Sequence, residues 1–320
     1  MTKRTEAGII AAGNVSDAKI VEPAIIQSGV LVSPNKTQNN LFAFLIGIFL
    51  PLSVFTLIEL FYTKITGSID IINNTKIPYL GFIVKNNTGF DMIVNEKPKS
   101  RISESIRSIK SNIEFILPKN DLGKTILFTS SISGEGKTFC AKNLATAYAI
   151  SGKKTIVIGA DLRKPKLYLT FTEKNDIGLS TYLSGVSKKD DIIKKSQIEN
   201  LDYIKSGPIP PNPAELLGKE NMKKLINELK NKYDYILIDS PPIFIVTDSI
   251  ALMEYIDLNV YVLRQNYTKR ELINYANSFY DSGKIKNLSL VLNYVDFTNN
   301  YGYNYNYDYE FDYDSSYYED

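Results

Sequence analysis

The chain has no histidine among its 320 residues and a single cysteine, Cys140. Histidine general bases, Ser-His nucleophile pairs and histidine metal ligands are therefore excluded, as are internal disulfides and thiolate metal clusters. Charge of one sign is also missing. Lys and Arg number 37 against 35 Asp and Glu, a net +2, and the lysines form no basic stripe, so no nucleic-acid partner is expected. Long apolar runs are scarce, with one exception at residues 41–62, LFAFLIGIFLPLSVFTLIELFY. Its length matches the roughly 20 residues a helix needs to cross a hydrocarbon core. Pro51, costly inside a soluble helix, is tolerated in membrane spans, and Glu59 lies near one end. The run is too long and starts too far from Met1 for a signal peptide, so it predicts one transmembrane helix.

What the chain does contain is organised around Lys124 to Thr138, KTILFTSSISGEGKT. Ile126, Leu127 and Phe128 read as a buried strand, and the Ala-rich run ending at Ile150 reads as a helix. Between them lies a Ser/Gly loop. Gly134 and Gly136 let the backbone curl so that its N–H groups face an anion. The helix N-terminus adds partial positive charge, Lys137 can reach β/γ-phosphates, and the Thr138 hydroxyl can hold Mg²⁺. Ser133, Gly134, Glu135, Gly136, Lys137, Thr138 and Phe139 are the expected nucleotide-binding residues. The general pattern GxxxxGK[ST] would begin at 131, where this chain has Ser131. Cys140, just inside the helix, is expected to pack as a small residue.

Taken in order, residues 1–40 form a short extracytoplasmic segment, 41–62 the membrane helix and 63–100 a polar juxtamembrane linker with a possible short strand at 77–83. Lysines after the span, and the need of a P-loop for cytoplasmic ATP, place the C-terminal side in the cytoplasm. Ile102, Ile106, Ile109, Ile113 and Ile116 recur at helical spacing, with Ser103 as cap chemistry. Strands follow at 154–159, 201–206, 233–240, 258–263 and 288–295. Helices are expected at 214–230, 248–255 and 268–282, and loops and short helices over 178–195. This alternation predicts an α/β domain with a mainly parallel sheet over 101–296. Ligands in such sheets sit beyond the carboxyl ends of strands, where the 133–138 loop, Asp161 and Asp239 converge. From 297 to 320 the chain turns to tyrosine alternating with Asn, Asp and Gly, with no Lys or Arg, which reads as a flexible tail.

These residues together resemble the bacterial tyrosine kinases of capsule and exopolysaccharide export, from about Val32 to the C-terminus. Ser130 to Thr138 corresponds to the family's Walker A, Ala160-Asp161-Leu162-Arg163 to Walker A′, and Ile236 to Pro242 to Walker B. Asn212 to Leu217, the span with its Ser33-Pro34-Asn35 lead and the tyrosine cluster also match. The resemblance implies Mg-ATP binding by these motifs and autophosphorylation of Tyr301, Tyr303, Tyr305, Tyr307, Tyr309, Tyr313, Tyr317 and Tyr318, in trans, within a ring of subunits in the inner membrane. Implied partners are polysaccharide polymerase and export proteins and a tyrosine phosphatase. Glu104, Arg107 and Lys110 stand for the family's Glu-x-x-Arg-x-x-Arg ring-contact motif, with lysine lacking the last arginine's bidentate fork.

Three departures accompany the match. Gly159 stands where the family has Asp, Ser133 stands where proline is frequent, and a first membrane span with its periplasmic region is absent from this sequence. The roles expected are Lys137 on the β/γ-phosphates, Thr138 and Asp239 on Mg²⁺, and Asp161 on the metal or the tyrosine's proton. Arg163 either neutralises developing charge or forms a salt bridge within the fold. Two other readings stay open at this point: a non-catalytic ATP-binding assembly factor, and an ATPase switch of the partitioning type. The latter's signature lysine would fall at Ile132.

Overall fold

The computed structural model describes residues 34–297 apart from 62, 121, 168–174, 219, 244–247, 254, 284 and 286. The tyrosine-rich segment and the Ser33 lead lie outside the described residues. The chain divides into two units, Met1–Phe61 and Tyr62–Asp320. In the first, helix α1 (Lys36–Phe61) runs through Pro51 and begins five residues before the apolar run. It is the one described helix long and apolar enough to cross a membrane. Phe42, Phe44 and Phe49 face outward on it, an all-round apolar surface of the kind found on membrane-crossing helices.

The second unit is an eight-stranded sheet with helices on both faces. Its strands are β1 (Tyr79–Val84), β2 (Lys124–Ser130), β3 (Thr155–Gly159), β4 (Ile193–Lys195), β5 (Leu201–Ile204), β6 (Tyr235–Asp239), β7 (Leu258–Arg264) and β8 (Leu288–Val295). Its helices are α2 (Ser68–Ile72), α3 (Ile93–Glu96), α4 (Arg101–Ile116), α5 (Lys137–Ile150), α6 (Leu179–Leu183), α7 (Lys189–Ile192), α8 (Pro213–Leu217), α9 (Glu220–Lys230), α10 (Asp248–Met253) and α11 (Glu271–Asp281). The strand order is β1-β8-β7-β2-β6-β3-β5-β4, and every pairing is parallel except β4 with β5. Central strands buried on both faces carry short continuous apolar runs, here Ile126 to Phe128 in β2, Ile156 to Ile158 in β3 and Ile236 to Ile238 in β6. One core gathers α4 and α5 against the sheet through Ile106, Ile113, Leu144 and Phe128. The other gathers α9, α10 and α11 through Leu225, Leu229, Leu252 and Ile273. Cys140 is buried in the first core, where burial pushes its thiol far above the ordinary range.

Topology then positions the site. From β2 the chain crosses over β6 to β3, but from β6 it crosses back over β2 to β7, so the winding reverses about β2. A crevice opens at such a reversal beyond the carboxyl ends of the strands.

Four local expectations are revised. Residues 63–100, read as a polar linker, add β1 beside β8 and bury Ile65, Ile71, Ile77, Leu80 and Ile93 in the two cores. The helix expected over 214–230 is two helices separated at Gly218, the C-cap of α8. Lys188 to Lys195, expected as loop and short helix, ends in the antiparallel edge strand β4. The cap of α4 is Ser100, whose Oγ accepts from the Ser103 N–H at 3.3 Å, three residues ahead of the serine expected.

Candidate active site

β2 ends at Ser130 and the chain turns into α5 through the 131–136 loop. Gly134 (φ 95°) and Gly136 (φ 97°) both lie in the left-handed region, and a Cβ at Gly136 would fall 1.9 Å from Asn293 Nδ2. Glycine is therefore required at 136 by backbone angle and by space. Ser131, at the pattern's usual first glycine, is not left-handed, and its buried Oγ accepts the Tyr261 hydroxyl at 3.0 Å. A side chain is tolerated there because the turn does not need a glycine.

The loop is held from the side of β7 and β8. Tyr267 Oη donates to the Ser133 carbonyl (2.9 Å), Arg264 Nη1 to the Gly134 carbonyl (2.8 Å) and Asn293 Nδ2 to the Glu135 carbonyl (2.9 Å). Arg264 also stacks between Tyr294 and Tyr267, at 4.1 and 5.0 Å from their ring centres. The Glu135 side chain, expected among the nucleotide ligands, turns inward instead. It is fully buried, accepts from the Ile132 N–H at 2.8 Å and from the Thr268 hydroxyl, and burial raises its pKa. Its backbone remains part of the loop that faces the crevice. The 264–270 segment is in turn knitted to the chain just after α1. Arg270 N–H donates to the Thr63 carbonyl (2.7 Å), Asn266 N–H to Ile65 (2.8 Å) and Ile65 N–H to Thr268 (2.9 Å).

The opposite side, at the ends of β6 and β3, carries the acids. Asp239 pairs in register with Phe128 of β2 and with Gly159 of β3, which sets it between the P-loop and the 160–164 turn. Its Oδ2 accepts the Thr138 hydroxyl at 2.7 Å, and its buried Oδ1 has no hydrogen-bond partner among the described residues. Burial pushes Asp239 up to about 6. The Lys137 charge and the Thr138 hydroxyl pull against that shift, while Asp161 adds to it. Lys137 itself is buried in the first turn of α5. Asp161 Oδ1 accepts the backbone N–H groups of Lys164 (2.9 Å) and Arg163 (3.3 Å), which folds 161–164 into a tight turn with Arg163 exposed. Phe139 is partly buried against the α4–α5 core.

The structure thus brings together Ser133 to Thr138, Asp161 and Asp239, with Arg163 exposed on the same turn as Asp161. It does not bring Glu104, Arg107 and Lys110 to this crevice; they lie on α4. Arg107 pairs with Glu104 and donates to the Pro98 carbonyl at 2.6 Å, and Lys110 Nζ donates to Ser151 Oγ at 2.9 Å. Residues missed from the sequence are Arg264, Tyr267, Thr268 and Asn293, together with Lys142. The last is buried on α5 and paired with Asp91 at 2.9 Å, with burial lowering its pKa. Arg264 ends β7, so the strand-end rule that found Asp161 and Asp239 would also have found it. No spacing signal marks the others.

A strand, a glycine loop, a buried lysine at a helix start and a Thr–Asp pair define a P-loop nucleotide-binding domain, a class that works with nucleotide and Mg²⁺. The AAA domain family matches residues 123–284. The chain is 38% identical over 203 residues to tyrosine-protein kinase YwqD of Bacillus subtilis, covering 63% of this chain and 85% of that one. It is 28% identical over 310 residues to tyrosine-protein kinase wzc of Salmonella typhi, covering 92% of this chain but 43% of that protein. Among solved structures the chimerical protein CapA2B2 superposes with a TM-score of 0.66 at 36% identity, over 71% of this chain and 98% of that one. The chain belongs to the bacterial tyrosine-protein kinase family. It is a protein-tyrosine kinase, and the assembly-factor and partitioning-ATPase readings are set aside.

Proposed function

We propose that this chain is an ATP- and Mg²⁺-dependent tyrosine autokinase that phosphorylates the cluster Tyr301 to Tyr318 on a second copy of itself. In this reading 41–62 spans the inner membrane once, the kinase domain is cytoplasmic, and the modification state of the tail regulates polysaccharide polymerisation and export. The partners are those of the family: the polymerase and export proteins, a phosphatase, and neighbouring subunits met through the α4 face of Glu104, Arg107 and Lys110. The observation that carries it is the pairing of Thr138 with Asp239 beside buried Lys137, with one buried oxygen of Asp239 unpartnered among the described residues.

An orphaned buried carboxylate oxygen next to a hydroxyl is the donor set a hard cation accepts. Thr138 and Asp239 would hold Mg²⁺, which when bound neutralises charge on the phosphates. The N–H groups of 133–138 cradle the phosphates, and Lys137 places its charge on the phosphoryl group being transferred. Asp161, at the mouth of the same crevice, accepts the phenol proton as the tyrosine oxygen bonds to phosphorus and the bond to the leaving ADP oxygen breaks. A phenol with a pKa of about 10 needs such an acceptor at neutral pH. Arg163, exposed on the same turn, offsets the charge that develops.

The test is Lys137→Met in the full chain, read by anti-phosphotyrosine signal after incubation with Mg-ATP. Loss of more than about 100-fold with an unchanged melting temperature is expected, because the glycines rather than the lysine shape the loop. Undiminished signal would remove the P-loop from the reaction.

A further inference from the structure

The turn that carries Asp161 is basic. Arg163, Lys164 and Lys166 are all exposed within five residues of that acid, and the Asp161 carboxylate itself fixes the turn through the backbone of Arg163 and Lys164. The end of β5 lies alongside, since a Cβ on Gly159 would come 2.7 Å from Ser206 Oγ. That second wall adds Lys205, buried, and Ile209, 64% exposed. Among the described residues of this rim the acids are Asp161 and the exposed Asp176, fewer than its cations Arg163, Lys164, Lys166 and Lys205. The C-terminal sequence is complementary. Residues 297–320 hold six carboxylates and eight tyrosines with no Lys or Arg. Within that segment the tyrosines differ. Tyr309 lies between Asp308 and Glu310, and Tyr313 between Asp312 and Asp314, whereas Tyr301, Tyr303 and Tyr305 have only Asn and Gly beside them.

We propose that the basic 163–166 turn is an acceptor-docking strip that selects tyrosines flanked by carboxylates, so that Tyr309 and Tyr313 of a second copy are phosphorylated ahead of Tyr301, Tyr303 and Tyr305. The proposal rests on the autokinase reading and adds to it a substrate rule. When a tyrosine reaches Asp161, its neighbours lie one residue, about 3.4 Å, away along an extended chain. Their carboxylates are then well inside the Debye length of about 10 Å from Lys164 and Lys166. Each such exposed pair is weak, so the selectivity expected is only about three- to ten-fold.

The experiment uses full-length proteins. An isotope-labelled Lys137→Met chain is the acceptor, and unlabelled wild type or the Lys164→Glu/Lys166→Glu variant is the donor. Site-resolved mass spectrometry gives the initial rate at each tyrosine. The expected wild-type ratio of acid-flanked to neutral-flanked sites is about three to ten at low salt, falling towards one in 0.5 M salt and in the charge-reversed donor. An acceptor with Asp308, Glu310, Asp312 and Asp314 changed to Lys should lose the preference with wild-type donor and regain it with the reversed donor. ATP hydrolysis by the reversed donor should match wild type, which shows that the donor is folded. A wild-type ratio of one, or a preference that survives charge reversal unchanged, overturns the docking strip. Absence of phosphotyrosine from every donor overturns the autokinase reading instead.

Discussion

On the β7–β8 side of the P-loop, each carbonyl from Ser133 to Glu135 receives a side-chain donor. On the β6–β3 side, one oxygen of Asp239 receives none among the described residues, and the carboxylate is buried against its own interest in being charged. The first flank satisfies polar groups and so fixes backbone geometry. The second withholds satisfaction from an acid, as the proposed Mg²⁺ role of Asp239 requires, and leaves local stability lower than it could be. Shape and reactivity of one loop are thus assigned to opposite sides of the sheet.

The sharpest way to break that contrast is Asp239→Asn. Phosphorylation should fall by more than about 100-fold, since a neutral amide is a poor ligand for a hard cation. The metal-free protein should nevertheless melt higher than wild type at pH 7.5. The folded-state pKa of Asp239 is about 6 against an ordinary 3.8. A raised folded pKa means that the protonated form is favoured on folding. Its stabilisation is fully present below about pH 4 and is lost as pH rises through about 6. Above that pH the ionised side chain costs about 1–3 kcal/mol that asparagine avoids. Calorimetry from pH 4 to 8 should therefore show the variant's advantage growing with pH. Equal melting temperatures at pH 7.5 would mean that the acid flank is not strained.

A smaller effect is expected from the braced flank. Arg264→Met keeps apolar bulk but removes the donor to the Gly134 carbonyl and the charge between the Tyr267 and Tyr294 rings. One hydrogen bond to a loop that binds substrate and transition state alike is worth about 1 kcal/mol. The expected result is a KM for ATP raised about five-fold with kcat within about two-fold, the signature of lost uniform binding. A fall in kcat at constant KM would show that this flank acts on the chemical step.

The two flanks were unequally legible in the sequence. The acid flank was readable because its residues sit in short motifs whose neighbours force the geometry: apolar strands ending in Asp239 and two residues before Asp161, and glycines before Lys137. The braced flank is assembled from residues about 130 positions away from the loop they hold, as with Tyr267 and Ser133, and no local pattern records such pairings. The same reason explains the reading of 63–100 as linker. β1 is a short edge strand of the described sheet, and its partner β8 lies about 200 residues downstream. Conversely, Glu135 looked like a ligand because it stands inside the glycine motif, yet its carboxylate serves the braced flank through Thr268.

The smallest effect tests where the acid flank ends. By residue alternation, an aspartate at 159 would share a side with Asp161 and could join the metal shell. The structure directs that Cβ elsewhere, 2.7 Å from Ser206 Oγ, 3.2 Å from Ser206 N and 3.4 Å from Leu167 Cβ. Gly159 does not have a left-handed φ, so the obstacle is space and not backbone angle. Ser206 is buried, and its hydroxyl must rotate away for any side chain to enter. Crowding of this kind costs about 1 kcal/mol or more. Gly159→Asp is therefore expected to lower unfolding free energy by about 1–2 kcal/mol in urea, while its Mg²⁺ titration of tail phosphorylation shifts by less than about two-fold. Ser206→Gly removes the colliding hydroxyl, and the double variant should recover about 1 kcal/mol as a coupling between adjacent sites. If Gly159→Asp alone lowers the Mg²⁺ requirement without loss of stability, the carboxylate has swung into the crevice and the acid flank extends two residues back from Asp161 to the end of β3.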